Sequence, residues 1–506
     1  TFLQPVNEIH FTTGIYRDIT MGINRIHLFI LLLIGCLLFV STLFNFLIMN
    51  VANAESRISQ SKIIRFMGGS KSTLIKSHFW EVSIITLVSI AISVLAIWLF
   101  MPLLSDAYFN GWRIDSGSLY FWVVILLMSM LVISASTLST GMVSIQLSRK
   151  NDQKLSIHGD KKIIPLIVFQ FVVVIALICF GTIIKKQLTF IGQKDLGYAS
   201  ENIMLFRAPG GSSPKINTFK QRAGNVAGVI AASNVQHYPG FRLQDLTLET
   251  SKGSYPIKFA MVDEDAFKVL NLKLEERFSQ LQGNEIFINE TLYKAFQKSF
   301  TQTEIVSGDF NSKQQGEDEK LDFYVNGVVN DFNYNSLYEP LGNFMFIIRK
   351  TSEFNHRFLM VRYNLKNTKQ VISELQTIEE ELYNAKTEPI FLNSELNKAY
   401  ESEQLILSIT SLFASLTILI TCLGLFAFSI YSTQKRTKEI GIRKVNGAST
   451  SEIIVSLSFS FIKWILVAFI VATPIAYYAM NRWLENFAYR TAISWWIFAL
   501  AGLLAL

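Results

Sequence analysis

The densest run of chemically capable side chains is Arg436-Thr437-Lys438-Glu439-Ile440-Gly441-Ile442-Arg443-Lys444-Val445-Asn446-Gly447-Ala448-Ser449. Its chemistry is recognition. A short helix here carries basic residues on one side and Ile440, Ile442 and Val445 for apolar contact. Gly447 suits the helix end, where a left-handed residue is favoured. Ser449 followed by Glu452 is a capping-box pattern that starts another helix. Such a segment serves either as a docking element or as an ordinary basic loop beside a membrane, and its residues alone leave both readings open.

Catalytic patterns do not compete with it. The sequence has no Gly-x-x-x-x-Gly-Lys-Ser/Thr phosphate loop and no Gly-x-Ser-x-Gly elbow. His10, His27, His78, His158, His237 and His356 are scattered without metal-type spacing. Neither a cofactor nor a metal is therefore expected on the chain. Glu81 and Lys463 lie in apolar runs, where charges often mark function. Glu81 falls near a helix start and Lys463 can snorkel, so a structural role is the expectation for both. Pro474 is expected to kink its helix or sit near its outer end. Asp331-Phe332 reads as a turn after a strand.

The elements that must carry these residues follow from hydropathy. Hydrophobic residues make up 50% of the 506 and charged residues 17%, with a mean hydropathy of +0.33. The apolar residues cluster into runs near the roughly 20 residues that cross a bilayer core. About seven crossings can be drawn: Ile26–Met49, Trp80–Leu103, Leu119–Leu147, Ile163–Ile184, Leu405–Tyr431, Ile453–Met480 and a short Ile493–Leu506. Cys36, Cys179 and Cys422 each lie inside such a run and read as small hydrophobes. The net charge of +7 does not point to nucleic acid, because the basic residues sit in short clusters between the runs.

Loop charge sets an expected orientation. Arg57, Lys62, Arg65, Lys71 and Lys76 occur with no acid between them. Arg149, Lys150, Lys154, Lys161 and Lys162 fill another loop, and Lys435, Arg436, Lys438, Arg443 and Lys444 a third. These three face the cytoplasm on this reading, and the long polar stretch 187–403 faces outward. Lys185 and Lys186 are exceptions on the outer side.

The outward stretch alternates strand-like and helical patterns and predicts an α+β domain. Strands are expected at Asn202–Phe206, Tyr255–Val262, Glu285–Asn289, Phe323–Val329, Phe344–Arg349 and Phe358–Tyr363. Helices are expected at Asp265–Leu270, Thr291–Lys298 and Thr368–Tyr383, and a polar loop at Ser307–Lys320. From Ser394 to Tyr431 no strong breaker appears except Gly424, so one continuous helix is expected to run from this domain into the bilayer. With the helix that enters the domain, it would form a pair of rigid stalks. The fold class is thus an α-helical membrane bundle with an α+β extracytoplasmic domain inserted between two halves. Its parts are a tail at 1–25, a first membrane domain at 26–148, a linker and stalk at 149–186, the inserted domain at 187–403 and a second membrane domain at 404–506.

The basic segment has a weaker echo. Leu43-Phe44-Asn45-Phe46 precedes Arg57, and Lys62-Ile63-Ile64-Arg65-Phe66-Met67-Gly68-Gly69-Ser70 follows, as Leu425-Phe426-Ala427-Phe428 precedes the stronger copy. Repetition of this kind is expected where one chain supplies two pseudo-equivalent halves of a transporter. The run Lys438 to Lys444 with Gly447-Ala448-Ser449 resembles the signature of FtsX-like permeases. Phe487-Ala488-Tyr489-Arg490 and Trp495-Trp496 resemble that family's last loop. The inserted domain resembles the periplasmic core domain of MacB-type exporters. The residues that carry this are Phe169-Gln170-Phe171, Asp195-Leu196-Gly197-Tyr198, Asn289-Glu290-Thr291, Gly327-Val328-Val329-Asn330-Asp331-Phe332 and Ser336-Leu337.

The resemblance implies that the chain is a permease working with a cytoplasmic ABC ATPase dimer, which holds the ATP and Mg. Arg436, Lys438, Glu439, Gly441, Arg443, Lys444 and Gly447 would dock on that ATPase. Arg57, Lys62, Arg65 and Gly68 form a weaker first copy, where Ser59 and Gln60 replace the Lys-Glu pair. Family members with two such domains have about eight crossings, so the chain is expected to be a fragment of a longer protein of the bacterial inner membrane. Other expected partners are lipid and a periplasmic adaptor or substrate protein. Two functions fit: export of a peptide, drug or lipoprotein by mechanotransmission, or FtsX-like signalling to a partner such as a cell-wall hydrolase.

Overall fold

The computed structural model describes residues 25–56, 63–64, 66–108, 117–147, 156–208, 214–241, 243–250, 253–278, 284–300, 310–313, 321–334, 336–349 and 357–506. The chain divides into two compact units. One comprises residues 1–188, Ser402–Leu484 and Thr491–Leu506; the other comprises Thr189–Glu401 together with Glu485–Arg490.

The first unit is helical. Its helices are α1 (Arg25–Ser56), α2 (Lys71–Tyr108), α3 (Leu119–Leu147) and α4 (Ser156–Gln193), then α10 (Glu401–Lys435), α11 (Thr437–Val445), α12 (Thr450–Leu484) and α13 (Trp495–Ala505). Among the described residues, six of these are long and apolar enough to cross a membrane; α13 is a shorter apolar helix. Helices are imposed by the solvent, since hydrocarbon offers no partner to a free N–H or C=O. Pro102, Pro165 and Pro474 all lie within helices that continue past them.

Interhelical contacts in this unit use the few polar residues of the spans. Gln170 of α4 donates to the Ser41 carbonyl of α1 at 3.1 Å, and Phe169 meets Phe44 edge to face at 5.2 Å. Asn45 of α1 donates to the Ile420 carbonyl of α10 at 2.9 Å. The Asn45 amide oxygen lies where a side chain on Gly424 would begin, so the glycine permits the approach. Such membrane hydrogen bonds contribute about 0.6 kcal/mol each and fix register more than they add stability. α4 packs on the second half through Ile175, Cys179, Ala468, Ala472 and Phe498. Cys179 is buried, whereas Cys36 and Cys422 are exposed apolar-run residues; all three are free thiols. Glu81 faces His78 at 3.6 Å, and the Lys463 ammonium lies 5.2 Å from the Phe459 ring centre. These are local partners one turn away, as the structural reading of both charges requires.

The second unit is α+β. Its strands are β1 (Ile203–Arg207), β2 (Val229–Val235), β3 (Gln244–Thr250), β4 (Gly253–Val262), β5 (Leu274–Arg277), β6 (Asn284–Asn289), β7 (Phe310–Lys313), β8 (Leu321–Val329), β9 (Phe344–Ile348), β10 (Phe358–Tyr363) and β11 (Ile390–Phe391). Its helices are α5 (Pro214–Gly224), α6 (Ala266–Leu270), α7 (Glu290–Gln297), α8 (Thr368–Tyr383) and α9 (Leu392–Lys398). β4, β3, β7, β8, β6 and β9 pair in turn, and β9 returns to β4, so six strands close on themselves. Closure removes free edges. β2, β10, β1 and β11 extend the sheet from β4, and β5 adds to β8. Alternation sorts the side chains: Leu246, Leu248, Ile257, Phe259, Ile286, Ile288, Met345 and Ile347 pack with α7. The intervening Ala260, Val262, Phe287, Phe346 and Ile348 pack in a separate cluster.

The expected strands and helices of this domain are present within one or two residues. The expectation of a loop at Ser307–Lys320 is corrected in part: 310–313 form β7, paired with β3 and β8, while the rest lies outside the described residues. The continuous helix expected from Ser394 is also corrected. α9 ends at Lys398 and α10 starts at Glu401. Tyr400 in the break is buried, accepts a hydrogen bond from the Leu337 N–H at 2.6 Å and stacks on Tyr338. Tertiary contacts there override local helix preference.

The residues that carried the resemblance in this domain meet at one node. Asp331 accepts from the Asn289 amide at 2.7 Å and from the Thr291 N–H and hydroxyl at 3.0 and 2.8 Å. Asn289 in turn accepts from the Leu292 and Phe344 N–H groups, capping α7. Gly197 has φ +83° and sits against the Asp331 carbonyl and the Phe332 backbone. Asp331-Phe332 is thus a structural turn that joins the loop after α4 to the start of α7.

Two outcomes follow. Gly197→Ala must place a methyl 2.7 Å from a backbone oxygen in a left-handed conformation, and should lower the unfolding temperature of this unit by more than about 3 °C. Gly342→Ala, whose methyl meets nothing within 4 Å, is the control that should leave it unchanged. His237 accepts the Met261 N–H at 3.3 Å, and burial, then the charge of Arg357, push its pKa from 6.5 down to about 4. As pH falls from 6.5 towards 4 the unfolded chain takes the proton first, so stability is lost across that window. A His237→Gln variant should show a shallower loss there in pH-dependent thermal unfolding.

Candidate functional site: the helix between α10 and α12

α10 stops at Lys435 and a new helix starts within two residues. Arg436 leaves the helical path with φ −97° and ψ 13°, and α11 follows from Thr437. Thr437 donates its hydroxyl to the Gln434 carbonyl at 2.6 Å, closing the end of α10. At the other end Gly447 has φ +91°. The Gly447 N–H donates to the Lys444 carbonyl at 3.1 Å and the Ala448 N–H to the Arg443 carbonyl at 3.0 Å. That pair of bonds is a Schellman closure. Ser449 and Glu452 then exchange hydrogen bonds: the Glu452 N–H donates to the Ser449 hydroxyl at 3.2 Å, and the Ser449 N–H to the Glu452 carboxylate at 3.0 Å. The capping box read from the sequence is formed.

The helix so mounted has no buried residue. Val445 is 88% exposed and Ile442 55%. Apolar side chains held at that exposure on a structured element suit contact with a protein partner or with the membrane. Glu439 pairs with Arg443 at 2.7 Å, an i,i+4 bridge, and Arg443 also reaches the Ser456 hydroxyl at 3.5 Å. Arg436, Lys438 and Lys444 present further positive charge from the same short segment. Gly441 has nothing within 4 Å of the place a Cβ would occupy, so internal packing does not require it. An open groove of about 420 Å³ runs beside the first turns of α12, lined by Ser451, Glu452, Val455, Ser456 and Phe459.

The first copy repeats the closure. The Gly69 N–H donates to the Ile64 carbonyl at 2.8 Å, and Gly68 has φ +86°. Ser70 accepts the Thr73 N–H at 3.3 Å, so Ser70 starts α2 as Ser449 starts α12. What differs is the exposed surface: Phe66 at 97% and Met67 at 83% stand where the second copy has Val445 and Asn446. Arg57, Lys62 and Arg65 lie outside the described residues. Among the described residues no group of three His, Cys, Asp or Glu could hold a metal ion.

Sequence reading missed one set of contacts beside these helices. Lys186 at the end of the fourth span donates to the Ala492 carbonyl at 2.8 Å and the Ser494 hydroxyl at 2.7 Å. The Thr491 N–H donates to the Gln187 side chain at 2.8 Å. Lys186, an exception to the expected loop-charge pattern, therefore has a specific partner.

This architecture defines a polytopic membrane protein with two related helical halves, each carrying a basic turn closed by Gly and Ser, and an α+β domain inserted between them. The model of the FtsX-like permease C-terminal domain matches residues 32–151 and 411–506, one segment in each half. These two segments, together under half of the chain, are similar to the FtsX-like permease family. Among solved structures it is similar to the extracellular domain of the noncanonic ABC-type transporter YknZ from Gram-positive bacteria, at 13% identity and a TM-score of 0.26, covering 36% of this chain and 95% of that one. It is also similar to a permease-protein domain from Porphyromonas gingivalis, at 14% identity and a TM-score of 0.25, covering 39% and 98%. No curated protein matches the chain.

Gly441→Ala should stabilise α11 by about 0.5–1 kcal/mol, whereas Gly447→Ala should destabilise its end by a comparable or larger amount. Amide exchange over 437–449 should slow in the first variant and quicken in the second.

Proposed function

We propose that this chain is the mechanotransmitting membrane subunit of an ABC-type export system. A cytoplasmic ATPase dimer, holding ATP and Mg, docks on α11 and on the Gly68 turn of the first half. Closure of the dimer moves these segments and the helices they begin, and the inserted domain on the periplasmic side of the bacterial inner membrane expels or hands off its substrate. Peptides, lipophilic drugs and lipoproteins are the substrate classes this reading admits, with an adaptor or substrate protein as periplasmic partner and no nucleic acid.

The observation that carries the reading is the mounting of α11. A nine-residue helix with every residue accessible, fastened at one end by a Schellman closure and a capping box, is suited to receive a force. A basic loop that served only to orient the chain would need neither feature. Arg443 and Lys444 supply charge for the ATPase, Glu439 orients Arg443, and Ile442 and Val445 supply apolar contact. The first half keeps the mount but offers Phe66 and Met67 instead. Docking at the two halves is thus unequal in chemistry.

Co-purification of the full-length protein with its cognate ATPase tests this. Wild type should retain the ATPase, and Arg443→Glu or Lys444→Glu should reduce capture by at least about tenfold, as expected where a charge contact of about 1.5–3 kcal/mol is reversed. Undiminished capture by both variants would remove α11 from the docking surface.

A further inference from the structure

Hydroxyls in the membrane spans follow a common pattern. Thr42, Thr86, Thr182, Thr417 and Thr473 each donate to the carbonyl four residues earlier in their own helix, at 2.6–2.8 Å. That bond is the local way to satisfy a hydroxyl where hydrocarbon offers no partner. Ser41 of α1 and Thr421 of α10 depart from it. Both residues are buried, at 1% and 4% exposure, and neither hydroxyl has a hydrogen-bond partner among the described residues. The Asn45 amide oxygen is buried and unpartnered as well.

These three atoms belong to one place. Ser41 and Asn45 lie one turn apart on the same face of α1, where Cβ atoms are about 5–6 Å apart. The Asn45 amide donates to the Ile420 carbonyl of α10 at 2.9 Å, and its oxygen lies beside Gly424. Thr421 follows Ile420 and shares a helix face with Gly424, three residues on. Gln170 of α4 closes the junction by donating to the Ser41 carbonyl at 3.1 Å. Thr417, one turn before Thr421, keeps the ordinary bond to its own helix. The departure is therefore local to the junction.

A buried polar atom without a partner is costly, and three within a turn's reach call for a common one. Their chemistry specifies it. The amide oxygen only accepts, whereas each hydroxyl donates or accepts. A molecule that donates twice and accepts once satisfies all three. None of the six residues named at the junction is charged, so the place suits a neutral molecule over an ion. We propose that the junction of α1, α4 and α10 binds one ordered water. It donates to the Asn45 amide oxygen and to one hydroxyl, and it accepts from the other. With bonds of about 2.8 Å a water bridges groups about 5–6 Å apart, and about three partners is the usual number for a buried water. The water is a second polar link between the two membrane halves, beside the direct bond from Asn45 to Ile420. It requires no ATPase and does not depend on the docking role of α11.

The test uses the full-length protein in lipid nanodiscs. Thr421→Val keeps the side-chain shape and removes the hydroxyl. It should lower the unfolding temperature by about 2 °C, because the water loses a partner, whereas Thr417→Val should shift it far less. A dry junction predicts the opposite sign for Thr421→Val, so a rise, or no change, would overturn the proposal. Ser41→Ala combined with Thr421→Val should cost less than the sum of the single losses, since both groups share one water; strictly additive losses would rule out a shared site. A cryo-electron microscopy map that resolves ordered water should show a peak within hydrogen-bond reach of Ser41, Asn45 and Thr421. Ordered water elsewhere in that map and none here, or a Ser41 hydroxyl turned to the Leu37 carbonyl, would overturn it even if the variants fail to fold.

Discussion

Everything in the membrane halves depends on one constraint: a backbone polar group in hydrocarbon must find its partner inside its own helix. The chain can therefore turn only where it leaves the bilayer, and each turn must close one helix and open the next without leaving four carbonyls and four amides unpaired. Residues 436–452 meet that demand in very few residues. Thr437 and Gly447 end the two helices, and Ser449 with Glu452 begins the third. Because the turn is closed internally, the side chains of α11 are left over for a partner. The functional surface is a consequence of how economically the backbone is satisfied.

The inserted domain solves a different problem with the same groups. Water is available there, so strands can pair across the chain, and six of them close to leave no edge within that ring. One concentrated polar node of the domain, Asp331 with Asn289 and Thr291, caps a helix and seats Gly197. The residues of this domain that carried the resemblance are thus architectural. In the membrane halves, Lys438 to Lys444 lie on α11, a helix that buries none of its residues.

What was legible in the sequence is local. Runs of about 20 apolar residues gave the spans, and the Ser449–Glu452 and Gly447 signals gave the ends of α11 and α12 correctly. Short strand-like patterns, several of them nearly continuous apolar runs, gave six strands. β2, with the polar Ser233 and Asn234 near its end, and β3, with only Leu246 and Leu248 apolar, were not among the expected strands; pairing with β10 and β4 sets their places. The break at Ala399-Tyr400 was illegible for the same reason: Tyr400 is drawn out of the helix by Leu337 and Tyr338, more than sixty residues away. The contact of Asn45 with Gly424 spans the two halves and left only an isolated glycine in a helical pattern.

The central claim is that α11 touches an ATPase. The most direct measurement places a photo-reactive residue at position 445, the most exposed apolar site of the helix, in the full-length protein in native membranes, and identifies the adduct by mass spectrometry. The account predicts a cross-link to an ABC ATPase that is lost when Arg443 and Lys444 are reversed in charge. A cross-link only to lipid, or to a protein without a nucleotide-binding fold, would contradict it.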